Sequence, residues 1–362
     1  MKLIALKDVC KINMGQSPNS SNYNDYGDGM PFFQGNADFG ERYPITRVWC
    51  NTPTKIAQAE DILISVRAPI GALNYAKEEC CIGRGLAAIT PDRNKVSQDF
   101  IYWALKGKKA ELNDKGNGST FKAISRKILE QTMIPDINFE QQHKCAENLE
   151  KIYGIIQNRR KELLALDDLI KARFVEMFGD PVSNPKGWDM VELGELTGIG
   201  SSKRIFEKEY VSEGIPFYRT KEIVELSKGN SISTELYITE ERFAEIKEQY
   251  GVPKAGDLLI SAVGTIGIIW IVDGKNDFYF KDGNLIRVDS SDKFDSVYMK
   301  NLLENLIVEY KKQMSSGTAY AALTISGLTK MKVYDVPMEL QNQFADFVRQ
   351  VDKSKVAVQK AL

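Results

Sequence analysis

The chain has 362 residues, 43% of them hydrophobic and 27% charged, and a formal net charge of −1. That length accommodates two ordinary domains with a core in each, and the composition sits near globular averages, which argues against wholesale disorder. No apolar run approaches the ~18 residues of a membrane span and the first residues carry no signal-peptide pattern, so a cytoplasmic protein without membrane contact is expected.

Cysteine and histidine usage narrows the chemistry. Cys10, Cys50, Cys80, Cys81 and Cys145 form no CxxC and all lie in the first half, which reads as reduced thiols. His143 is the single histidine, so zinc sites and histidine acid–base catalysis are poorly supplied. It sits at a helix start in "EQQHKCAE", where a cap or core role is expected. Residues 1–139 hold 18 Lys+Arg against 15 Asp+Glu, a net of +3; residues 188–338 hold 18 against 23, a net of −5. A nucleic-acid partner needs a basic face rather than a basic total, so these sums leave it open.

In chain order, residues 1–139 give an entry segment "LKDVCKI" at 6–12, a turn and "MPFFQGN" at 30–36, and "AEDILISVRAPIGAL" at 59–73. The last reads as a buried strand ending in a glycine turn. "GNGSTFKAIS" at 116–125 then leads to an apolar strand closing on proline, "MIPDI" at 133–137. From Glu140 to Phe178 there is no Pro and one Gly. Leu149, Ile152, Ile156, Leu163, Leu166, Ile170 and Met177 lie there on a 3,4 ladder with Arg159 and Arg173 as polar rungs, a heptad seam that predicts a helix nearly 60 Å long at ~1.5 Å per residue. "FGDPVSNPKGW" ends it with Gly179, Pro181 and Pro185.

Residues 188–338 repeat the first series in order: "LGELTGI" at 193–199, "IPFYRTK" at 215–221, "AGDLLISAVGTIGII" at 255–269, "SSGTAYAALTIS" at 315–326 and "YDVPM" at 334–338. The 59–73 and 255–269 stretches share Ala59/Ala255, Asp61/Asp257, Leu63/Leu259, Ile64/Ile260, Ser65/Ser261, Ile70/Ile266 and Gly71/Gly267. A duplicated α/β domain is the expectation. Residues 339–362 then carry Leu340, Phe344, Phe347, Val351 and Val358 at helical spacing, so two amphipathic helices, 140–187 with its turn and 339–362, follow the two globular halves. Their stripes predict an antiparallel pair.

With this order, the chain resembles the specificity subunits of type I restriction–modification systems over essentially its whole length. The resemblance is carried by "LDDLIKARFVEMFGDPVSNPKGW" at 166–188, the paired D-[IL]-L-I-S strands, the paired Gly-Ser/Thr loops and "VPMELQNQFADFVRQVDKSK" at 336–355. It implies an α+β protein with two target-recognition domains held apart by two long helices in an antiparallel coiled coil. Each domain would read one half of a split double-stranded DNA sequence. The helices would set the gap and dock two methyltransferase subunits, which restriction (motor-nuclease) subunits join. The chain would be non-catalytic, with adenosylmethionine, ATP and Mg on the partners. Its second helix is shorter than usual for the family, which leaves the seam around Leu149 to Ile156 uncovered and suggests self-association or a partner.

The residues expected to read bases lie in polar loops around the strands. In the first domain they are Gln34, Asn36, Arg67, Arg84, Thr120 and Lys122; in the second, Lys203, Arg204, Tyr218, Arg219, Thr220, Lys221 and Tyr320. Gln and Asn pair twice with adenine and Arg with guanine in the major groove; the alternative for each is a phosphate contact or a solvated surface. Ser65 and Ser261 are read as structural. A methyltransferase's Asn/Asp-Pro-Pro-Tyr/Phe tetrapeptide and a P-loop are both absent, and "PDRNK" at 91–95 lacks the acidic-x-Lys that a metal nuclease needs. A coiled-coil interaction scaffold without DNA readout is the alternative function.

Overall fold

The repeated segments are strands Ile62–Ser65 and Leu258–Ser261, each buried at every position. In the computed structural model, which describes residues 2–117, 122–315 and 322–361, each takes the third place in a four-stranded antiparallel sheet. The first sheet runs Cys10–Met14, Leu86–Pro91, Ile62–Ser65, Leu73–Tyr75; the second runs Ile199–Gly200, Leu285–Val288, Leu258–Ser261, Ile269–Ile271. Each half also has a two-stranded ribbon, Leu3–Ala5 with Met133–Pro135 and Met190–Glu192 with Lys332–Tyr334. Each has a parallel pair as well, Met30–Phe33 beside Cys80–Ile82 and Ile215–Tyr218 beside Tyr279–Phe280. The two halves share one topology.

The conserved letters between the halves are the residues that hold this scaffold together. The Ser65 hydroxyl donates to the Pro69 carbonyl at 2.7 Å and accepts from Ala72 N at 2.9 Å. Ser261 makes the same clasp, donating to the Thr265 carbonyl and accepting from Ile268 N. Gly71 and Gly267 follow it at φ +84° and +86°, a left-handed turn that a Cβ disfavours. Asp61 and Asp257, buried at the strand entry, accept from Gln58 N and Lys254 N, each at 2.9 Å. Both serines are structural, as the sequence suggests.

The chain divides into two compact units, Met1–Gln157 and Asn158–Leu362. In the first, helices Gln98–Gly107 and Lys109–Asp114 pack Phe100, Ile101 and Leu105 on Ile62, Ile64 and Ile89. In the second, one helix, Ser296–Ser315, does the same with Tyr298, Met299, Leu302 and Leu303 against Leu258 and Ile260. The long central helix, Phe139–Phe178, contributes to both units: Ala146 and Tyr153 join the first core, and Ile170, Phe174 and Phe178 the second. The division therefore falls within the helix, each end of which is rooted in the core beside it.

The terminal helix, Met338–Lys360, runs antiparallel to the C-terminal half of the central one. Phe174 meets Phe344 edge-on at 5.4 Å, the Arg173 guanidinium lies over Phe347 at 5.7 Å, and Lys355 pairs with Asp167 at 2.7 Å. Of the expected seam, Ile170, Phe344, Val351 and Val358 are buried, while Leu163, Leu166, Met177, Leu340 and Phe347 are half-buried. Phe174, Phe178 and Val348 complete it and lie off the ladder. A straight helix drifts ~20° per heptad from a strict seven-residue repeat, so toward the end of the helix the buried stripe moves from the Arg173 and Met177 rungs onto Phe174 and Phe178. At the other end Leu149 and Ile152 are 41% and 53% exposed, and Ile156 is half-buried.

Each long helix is tied to its domain by a buried glutamine three residues into it. Gln142 accepts from Ser97 N at 2.7 Å and donates to the Ile137 carbonyl at 2.9 Å. Gln341 accepts from Asp295 N at 3.0 Å and donates to the Val336 carbonyl at 2.7 Å. His143, one residue on, is exposed with its ring 5.5 Å from Phe139, so the expected core or cap role does not hold; Gln142 fills it.

Substituting either glutamine by alanine strands one buried donor and one buried acceptor. We expect Q142A and Q341A each to cost about 2–4 kcal/mol, read as lowered transitions in calorimetry. Thiol chemistry gives a second check. Cys145 is exposed and Cys10, Cys50, Cys80 and Cys81 are buried, with burial pushing the Cys10 and Cys80 thiols up to about 12. A chromogenic thiol probe should label one cysteine rapidly in the native protein and the other four only on unfolding.

Candidate nucleic-acid interface

At one end of the first sheet, a row of backbone hydrogen bonds gathers four loops. Gly85 N donates to the Gln34 carbonyl (3.1 Å), Val66 N to the Gly85 carbonyl (2.9 Å) and Ile124 N to the Val66 carbonyl (2.9 Å). Ala68 N donates to the Lys122 carbonyl (3.1 Å) and Arg67 bridges Ala123. This row places Gln34, Arg84, Arg67 and Lys122 along one edge with exposed side chains. Asn36 stands beside it, half-buried in the short turn Asn36–Asp38, whose Asp38 carboxylate accepts from Gln34 N and Gly35 N. The Gln34 side-chain oxygen accepts from Ser17 Oγ at 2.9 Å, and Ser17 Oγ accepts from Arg84 N at 3.2 Å. Thr120 lies outside the described residues.

The second sheet has the same row. Ala262 N donates to the Asn284 carbonyl (2.8 Å) and Leu323 N to the Ala262 carbonyl (3.0 Å), while Lys281 N donates to the Tyr218 carbonyl (2.9 Å). Lys203, Arg204, Arg219, Thr220 and Lys221 surround it; Tyr320 lies outside the described residues. Here the polar groups are engaged. Arg204 pairs with Asp282 at 2.8 Å. The Arg219 guanidinium pairs with Glu222 at 3.0 Å, Lys221 stands 3.9 Å from the same carboxylate, and that carboxylate is buried. The hydrogen bond to Glu222 holds the Arg219 guanidinium further toward its protonated form. The Lys203 ammonium lies 5.0 Å from the Tyr250 ring centre.

Tyr218 is corrected by the structure. Its ring is 7% exposed and stacks on Phe278 at 4.6 Å in the second core, and burial pushes its hydroxyl above the ordinary tyrosine range. It occupies the register of Phe33 on the parallel pair, which is a core position, so it supports the edge and does not reach out from it. Thr220 Oγ1, Arg219 Nε and Ser202 Oγ are buried and have no hydrogen-bond partner in the structure, each at a cost of about 1–3 kcal/mol. All three flank this same edge.

The two edges thus share a backbone and differ in charge. Among the described residues Arg67, Arg84 and Lys122 form no ion pair, whereas Arg204, Arg219 and Lys221 all do. Sequence reading missed Ser17, Asp282 and Glu222. Asp282 was visible as a loop residue in "FKDGNL", but its pairing with Arg204 is long-range and leaves no local pattern.

Residues 1–165 and 185–362 match the family model of the type I restriction modification DNA specificity domain. Over 152 residues, 42% of its length, the chain is 47% identical to a putative type I restriction enzyme MjaX specificity subunit of Methanocaldococcus jannaschii; the match spans 36% of that relative. It is 25% identical to the type I restriction enzyme MjaIX specificity subunit of the same organism, across 99% of this chain and 88% of the relative. A crystal structure of a type I restriction–modification S subunit from M. genitalium superposes with a TM-score of 0.59 at 17% identity, covering 99% of this chain and 91% of that one. The last likeness is one of fold.

Because Glu222 is 1% exposed, removing its partner leaves a buried carboxylate short of a hydrogen bond. We expect R219A to lower stability by about 1–3 kcal/mol and R67A, whose side chain is exposed and forms no ion pair among the described residues, to leave it within about 0.5 kcal/mol; denaturant titration separates the two.

Proposed function

The chain belongs to the family of type I restriction–modification DNA specificity domains, and on that premise we propose that it reads a split sequence in double-stranded DNA, one half-site per sheet edge. The observation that carries this reading is one scaffold built twice with unlike edges. Two readers of different half-sites need a common frame and different side chains, and here the frame residues Ser65/Ser261, Asp61/Asp257 and Gly71/Gly267 match while the edge residues do not.

On this reading the chain supplies position and its partners supply chemistry. Two methyltransferase subunits bring adenosylmethionine, and restriction subunits bring ATP and Mg. Gln34, Asn36, Arg67, Arg84, Lys122, Lys203, Arg204, Arg219, Thr220 and Lys221 contact bases or phosphate. The helix pair fixes the distance between half-sites, and its exposed stretch around Leu149 and Ile152 takes a partner or a second copy. Work in the cytoplasm suits the DNA target and the free thiols. Extrusion of a target base costs a few kcal/mol, which contacts at both edges help offset.

The test is to express the chain with its methyltransferase subunits and map modified adenines across a genome. A split motif with a fixed gap is the expected result; methylation without sequence preference, or no sequence-dependent protection of DNA, favours a protein-interaction scaffold instead. Inserting four residues in each long helix adds ~6 Å. At about 3.4 Å per base pair the gap should grow by nearly two base pairs, with both half-sites unchanged.

A further inference from the structure

We propose that Arg84 reads a guanine in the half-site of the first domain, and that the second domain presents no such group at the matching place. The inference rests on the DNA-recognition reading above and assigns one position within it.

Arg84 stands on a tip that cannot give way. Gly83 N donates to the Phe33 carbonyl at 2.8 Å, Gly85 N to the Gln34 carbonyl at 3.1 Å, and Leu86 N to the Gly83 carbonyl at 3.0 Å. Arg84's own amide is held by Ser17 Oγ at 3.2 Å. The flanking glycines let the tip lie directly on Gln34: a Cβ at Gly85 would come 2.5 Å from the Gln34 carbonyl oxygen, and one at Gly83 would come 3.0 Å from its Cα. The backbone is therefore fixed on both sides while the side chain is exposed and, among the described residues, forms no ion pair. A guanidinium delivered from a fixed base, with its fork uncommitted, suits the paired acceptors O6 and N7 of guanine. Its neighbours on the edge, Arg67 and Lys122, are also cationic and form no ion pair among the described residues, and they suit the flanking phosphates.

The second domain keeps the backbone row but differs at the tip itself. Three residues link Ile82 to Leu86, but four, Lys281 to Asn284, link Phe280 to Leu285, the residues in matching register. Asp282 lies in that longer tip, and its carboxylate is taken by the Arg204 guanidinium at 2.8 Å. The acid and the base cancel, and Arg204's fork is partly spent.

The experiment uses the full chain in complex with its methyltransferase subunits, challenged with a randomised duplex DNA library. Wild type should select a guanine at one position of one half-site. R84A should lose the preference there, about 5- to 150-fold as for a bidentate arginine–guanine contact, and keep the other half-site. R84K keeps the charge without the fork, so it should relax the same position while retaining more overall affinity. An unchanged motif in R84A overturns the assignment. So does an equal loss for all sequences with a salt slope shallower by about one, which marks a phosphate contact. Wild type showing no sequence preference would overturn the DNA-recognition reading itself, and this assignment with it. Thermal unfolding of both variants at the wild-type temperature is expected, since the side chain is exposed and, among the described residues, forms no ion pair.

Discussion

The organisation of this protein depends on how each long helix is joined to its sheet. A helix attached by flexible chain could transmit no distance, because a few free residues let the domain swing through many orientations. Gln142 and Gln341 remove that freedom. Each side chain binds the backbone on two sides, one bond reaching the first turn of the preceding domain helix and the other closing the strand-to-helix corner. A buried amide with both ends satisfied tolerates little displacement, since any shift leaves a polar group unpaired in a dry place. The aromatic contacts among Phe174, Phe178, Tyr298 and Phe344 then lock the C-terminal half of the central helix to the second core and to the terminal helix at once.

With each sheet tied to its own helix by backbone and buried side-chain bonds, its edge is free to differ. The hydrogen-bond rows at the two edges use backbone atoms almost throughout, so side chains there can change without loss of the fold. The charge difference follows from that freedom. Among the described residues the cations of the first edge form no ion pair, while the second pairs Arg204 with Asp282 and Arg219 with Glu222. A surface ion pair contributes little to stability, so the pairing of Arg204 with Asp282 has a small energetic effect on folding and a large one on what the edge offers a ligand. Under the proposed function, electrostatic attraction would fall mainly to the first domain.

The scaffold was legible in the sequence because its constraints are local. The Ser65 clasp, the Gly71 turn and the Asp61 strand entry each act within a few residues, and each recurs intact at Ser261, Gly267 and Asp257. The helices were legible from their period. The seam was read only in part, because a strict heptad track and a straight helix diverge along its length, which hid Phe174 and Phe178. The edges were the least legible. Tyr218 looks polar in one dimension, but its place on a parallel strand pair turns it inward. Arg204 and Arg219 look free until the folded chain brings them an acid.

These failures share one cause, which bears on how the edges work. A residue's availability to a ligand is set by what else competes for its hydrogen bonds, and that competition is decided by tertiary contacts. Arg84 and Arg204 are the same side chain on two different loops of the edge, Arg84 on the tip before Leu86 and Arg204 on the loop after Ile199–Gly200. One is flanked by glycines and, among the described residues, pairs with no acid; the other has Asp282 at 2.8 Å. The second tip carries that acid and is one residue longer, whereas the flanks of the first lie so close to Gln34 that only glycine fits at Gly83 and Gly85. The two tips therefore differ in both length and charge while the strands on either side keep matching register, so an edge of this kind can change without a rebuilt core.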